Sequence, residues 1–146
     1  MGLFNANAPL LSDLNLLFQI AIFAFLAVGL LIVKLRRGPM KHGALMGLAV
    51  AFNTISIVVV MTPSLLGFSD LSSMPFTHRA LTVIAHTITG GLAEILGIWL
   101  VGTWAFNHHK TEVCAKRRNV MRATIFLWLL ELLLGIYVYI ILYMPA

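Results

Sequence analysis

The sequence predicts an all-α integral membrane protein, a single domain over residues 1–146 folded as a four-helix bundle that runs up-down-up-down with both termini outside. Three observations lead there. Hydrophobic residues make up 60% of the chain and charged residues only 10%, whereas about a quarter of the residues of a soluble domain are charged. Four apolar runs, at about residues 14–33, 44–65, 81–106 and 123–143, each reach the roughly 20 helical residues that span a hydrocarbon core. Nine of the ten basic residues lie on one side: Lys34, Arg36, Arg37 and Lys41 after the first run, and Lys110, Lys116, Arg117, Arg118 and Arg122 after the third. Basic loops stay in the cytoplasm, which predicts a multi-pass protein of the cytoplasmic membrane.

Taken in order, the first run is expected to be retained as a span. The segment MGLFNANAPLLSD before it carries no Lys or Arg, and no small-residue cleavage site follows it. Ser12 or Asp13 is placed to cap its outer end, and KLRRGPMKHG ends it with charges followed by Gly38 and Pro39. So short a turn makes the first two helices antiparallel neighbours. The second run is expected to stop near Pro63 and Gly67, and the outer loop GFSDLSSMPF is a candidate lid or extracytoplasmic contact. The third helix should begin near residues 77–81 and carry Trp99 and Trp104 towards the inner interface. Its glycines, Gly90, Gly91, Gly97 and Gly102, lower helix propensity but admit a neighbouring helix or a flat ligand at close range. The fourth run follows the second basic loop.

The net charge of +5 does not point to nucleic acid, because the basic residues flank spans, where attraction to anionic lipid accounts for them. The single cysteine, Cys114, allows no internal disulfide and belongs to no zinc pattern. No Ser/His/Asp constellation, HExxH helix, P-loop or dinucleotide fingerprint occurs, so no independent catalytic activity is expected.

Polar residues inside the runs are the informative ones. A carboxylate at the centre of a bilayer costs about 2.5–3.5 kcal/mol even on an insertion scale, and Glu94 and Glu131 both lie within apolar runs. Counting about 1.5 Å per residue places Asn53, Glu94 and Glu131 at similar depth, roughly 13–18 Å below the inner surface by the same rise. Pointing inward, they would form one buried polar layer with at least one carboxyl neutral. Such a layer serves as a structural clamp, as a proton or quinone site, or as a contact for a basic residue of a neighbouring subunit.

Among the histidines, only His86 lies clearly within a span, in the outer part of the third helix. His42, His108 and His109 lie at the inner surface, roughly 30 Å away by helical rise, so His42 and His86 cannot share one iron. A haem b near the outer side could take His86 with Met61, and His78 is a weaker alternative. An inner site could take His42 with His108 or His109. A hydrogen-bonded intramembrane histidine explains the same spacing without a cofactor.

The order PMKHGALM, VIAHTITGGLA, KRRNVMR and GIYVYIILY resembles a small bacterial membrane family of unknown function that includes the Bacillus-type factor CtaM (YozB), implicated in maturation of the caa-type haem–copper oxidase. The resemblance covers about residues 14–143. It aligns His42 with the family's basic-loop histidine, His86 with that of the third helix, and Trp128 and Gly135 with positions in the fourth. Arg117 stands where the family has a histidine, and Glu131 replaces a small residue, which marks a divergent relative lacking any site that needs the third histidine. The resemblance implies a protein associated with a respiratory complex, in haem–copper oxidase assembly or as an accessory subunit, with other membrane subunits as partners. Two alternatives stand beside it: a small haem b cytochrome that interacts with quinone, and a purely structural transmembrane subunit.

Overall fold

The computed structural model describes residues 8–35, 38–67, 78–107 and 116–144. Its helices are α1 (Leu10–Lys34), α2 (Pro39–Ser56), α3 (Thr62–Gly67), α4 (His78–Phe106) and α5 (Arg118–Tyr143), with a π-helical segment, Ile57–Met61, joining α2 to α3 in one rod. This gives four rods, each long and apolar enough to cross a membrane. The loop GFSDLSSMPF beyond Gly67, together with Arg36, Arg37, His108, His109 and Cys114, lies outside the described residues.

Each rod extends the run that announced it. Pro39 occupies the first turn of α2, where its missing N–H costs nothing. Gly38 before it has φ +103°, a conformation that a side chain resists. Basic residues are good helix formers, so α5 begins at Arg118 rather than at the first apolar residue.

One local expectation is corrected. Ser12 and Asp13 do not cap α1. Pro9 holds the N-cap position without a side-chain bond, Asp13 is fully buried and accepts a hydrogen bond from the Tyr139 hydroxyl, and the Ser12 and Tyr143 hydroxyls meet at 3.2 Å. Inward partners on α5 claim both side chains. The second rod ends at Gly67, within the stop expected near Pro63 and Gly67, and runs through Pro63 on the way. A proline lacks an N–H and crowds the carbonyl four residues back, and here the chain widens just before it: the Thr62 N–H reaches the Ile57 carbonyl, five residues earlier. A π-bulge of this kind absorbs the mismatch within a continuing helix.

The rods pack in chain order, most intimately α1 against α2 and α4 against α5, with α2 on α4 and α1 on α5 closing the ring. Ile22, Leu26, Ala49, Val50, Ala93 and Trp128 form the core. Gly97 lets α4 approach Val50 and Trp128, since a Cβ there would sit 3.1 Å from the valine and 3.4 Å from the indole. Gly43 lies flat against the Trp104 indole. Val58, Ile95 and Phe126 point outward with many other large apolar side chains, and no more than 28% of the most apolar stretch of any rod is buried. Water would not tolerate that surface and lipid does, so the chain is a multi-pass membrane protein.

Candidate functional site: a polar network beside an outer-half cavity

A buried hydrogen-bond network crosses the bundle at mid-depth. The Asn53 amide donates to Glu94 Oε2 at 2.9 Å, and the Thr54 hydroxyl donates to Glu94 Oε1. From α1, the Gln19 amide donates to Asn53 Oδ1 at 3.0 Å and to Ser56 Oγ at 2.9 Å, and Ser56 donates to Asn15 Oδ1 at 2.5 Å. Asn53, Ser56 and Glu94 are all buried. Both carboxyl oxygens of Glu94 therefore meet donors, and intrahelical spacing does the positioning. Asn15 and Gln19 lie four apart on one face of α1, while Asn53 and Ser56 lie three apart on α2.

Glu131 is only 4% exposed, yet its carboxyl makes no hydrogen bond among the described residues. It lies over Gly90 of α4, where a Cβ would come within 2.7 Å of Oε1. Of the three residues expected in one layer, Asn53 and Glu94 are directly bonded and Glu131 stands beside them without joining. Between them is a void of about 10 Å³ bounded in part by Gln19, Asn53, Trp128 and Glu131, near the lower limit for a single water. Among the described residues the buried Trp128 Nε1 has no partner.

On its other side Glu131 borders a cavity of about 290 Å³ in the half of the bundle away from the basic loops, with walls from all four rods. His86 lines it. The Nδ1 of His86 lies 3.1 Å from the Glu131 backbone carbonyl. A carbonyl only accepts, so Nδ1 carries a proton, and in the neutral imidazole Nε2 keeps its lone pair. Gly135 makes room for this ring, because a Cβ there would be 3.1 Å from Cε1 of His86. Met61, Gly91, Tyr139 and Tyr143 also face the cavity.

The remaining histidines are elsewhere. His42 Nδ1 pairs with the Gly29 carbonyl at 2.9 Å at the inner end of α1. His78 Nε2 pairs with the Tyr137 hydroxyl at 2.5 Å and does not line the cavity. Arg117 stacks its guanidinium 4.3 Å above the Trp99 ring. Among the described residues no three His, Cys, Asp or Glu side chains converge as a metal site.

Met61 and His86 share the cavity, which is the arrangement that a Met/His haem requires. The space does not fit the group. Ligand cavities run from about 300 to 1,000 Å³; at about 290 Å³ this one accommodates a single ring system rather than a macrocycle, and among the described residues its lining holds no Lys or Arg for propionates.

Sequence reasoning missed Asn15, Gln19, Thr54, Ser56 and Tyr139, and gave Asp13 the role of a cap. The spacings Asn15/Gln19 and Asn53/Ser56 within otherwise apolar runs were the available signal. No protein-family model, curated protein or solved structure matches the chain.

Proposed function

We propose that this membrane protein acts with a respiratory complex, in assembly of a haem–copper oxidase or as an accessory subunit, and that its outer-half cavity is the working site. The observation carrying the proposal is a convergence. His86, Gly90 and Gly91, from VIAHTITGGLA, and Gly135, from GIYVYIILY, line one cavity although they come from two helices. These are two of the four motifs on which the resemblance to the CtaM-containing family rests. Their meeting in space supports a shared site rather than a coincidence of greasy sequence. Glu131 in the same wall gives this chain a polar group where the family has a small residue, in keeping with a divergent member.

The internal network supports the same reading. Glu94 is fully bonded within the chain, so it holds the bundle in register and does not await a partner's basic residue. The test is a strain lacking the chain, complemented with wild type or with empty vector. Reduced-minus-oxidised spectra and terminal oxidase activity of its membranes should show loss of one oxidase and its recovery, and a tagged chain should co-purify oxidase subunits in mild detergent. Unchanged spectra, activity and co-purification together would rule the proposal out.

A further inference from the structure

We infer that the outer-half cavity binds the ring of a membrane hydroquinone, with one hydroxyl on His86 Nε2 and the other on the Glu131 carboxyl. The inference deepens the respiratory reading and rests on it for the source of the ligand, a lipid-soluble redox pool. The cavity geometry stands apart from that reading.

Three features select this chemistry. The first is a group that lacks a partner. Glu131 is 4% exposed, borders the cavity and makes no hydrogen bond among the described residues, and a buried polar group without a partner is costly. A carboxyl that meets no donor is best tolerated in hydrocarbon as the neutral acid, which offers one O–H and one acceptor oxygen.

The second is the polarity and spacing of the pair. Because Nδ1 of His86 is committed to the Glu131 carbonyl at 3.1 Å, Nε2 of the neutral ring is an acceptor. The Glu131 carboxyl lies at the level of Gly90, four residues along α4 from His86, about 6 Å by helical rise. A ligand must therefore present a donor to the imidazole and, about one helical turn away, a group suited to a carboxyl. The two para hydroxyls of a single aromatic ring do this.

The third is shape. Gly91 borders the cavity, and a Cβ there would meet nothing within 4 Å. This bare stretch of α4 gives a flat ring a face to lie on. Aliphatic side chains such as Val83, Leu132 and Ile136 complete the walls. Among the described residues the lining carries no Lys or Arg to attract an anionic headgroup.

The experiment is anaerobic titration calorimetry of the full chain in nanodiscs with decylubiquinol as the probe. Wild type should bind one equivalent. Gly91→Leu, which adds a side chain into open space and removes a helix-weakening glycine, should lose binding by at least tenfold without lowering the melting temperature. Glu131→Leu should weaken binding about tenfold or more. Gly102→Leu, at an equally open helix position outside the cavity lining, should bind as wild type does. The inference is overturned if wild type shows no saturable binding, if Gly91→Leu binds as tightly as wild type, or if tetraphenylphosphonium occupies the site and decylubiquinol does not. Absence of quinol binding alongside an intact oxidase phenotype would remove this inference and leave the respiratory role standing. Quinol binding with no oxidase phenotype would do the reverse.

Discussion

Replacing Asn53 by alanine removes one hydrogen bond between α1 and α2 and one between α2 and α4. Asn53 is 1% exposed, accepts from Gln19 at 3.0 Å and donates to Glu94 at 2.9 Å, so its loss removes two interhelical hydrogen bonds at once. Such bonds average about 0.6 kcal/mol in membrane proteins and reach about 1.7 kcal/mol, which puts the pair at about 1–3 kcal/mol. Neither partner is wholly abandoned, because Gln19 keeps Ser56 and Glu94 keeps Thr54. That moderates the penalty for leaving buried groups unsatisfied. The expected destabilisation is about 2 kcal/mol, roughly a thirtyfold rise in the unfolding constant. Unfolding in mixed micelles by SDS titration, followed by tryptophan fluorescence, measures it. Ile95→Ala provides the baseline, since Ile95 is 65% exposed to lipid and should change stability by little. Equal stability of Asn53→Ala and wild type, or a stabilised variant, would refute the view that this network holds the bundle in register.

Other outcomes follow from single contacts. Gly43→Ala should destabilise by about 1–3 kcal/mol in a thermal melt, because its methyl must displace the Trp104 indole that lies against the glycine, as overpacking does elsewhere; a melt unchanged from wild type would mean that this end of the bundle is loosely packed. Tyr139→Phe removes the hydroxyl that donates to the buried Asp13 while Asp13 keeps its other interactions. A loss of about 1–2 kcal/mol is expected in the same micelle titration, and no loss would show that the bond contributes nothing net. Cys114 is the single cysteine, in the second basic loop, so a membrane-impermeant maleimide should label it in inverted vesicles and not in intact cells. Labelling of intact cells would reverse the orientation drawn from the basic residues.

The number and approximate extent of the spans were legible in the sequence because a membrane span is a one-dimensional property. Twenty apolar residues in a row must cross or be buried, whatever their neighbours are. The resulting rods run somewhat past each apolar run, since Leu10, His78 and Arg118 are helical without being needed to span. Asn53 and Glu94 are bonded to each other, and Glu131 borders the same small void as Asn53. What each polar group meets was not legible. Hydropathy hardly changes when a helix rotates about its axis, but a rotation of 100° moves the neighbouring residue into the same place. Only the packed bundle decides that Gln19, an unremarked polar residue of the first run, completes the Asn53 network while Glu131 is left facing a cavity. Asp13 shows the same limit at a helix end. Its place in the first turn suggested a cap, but burial against α5 gave it Tyr139 instead, because a carboxylate turned into the bundle must find its donor on another helix.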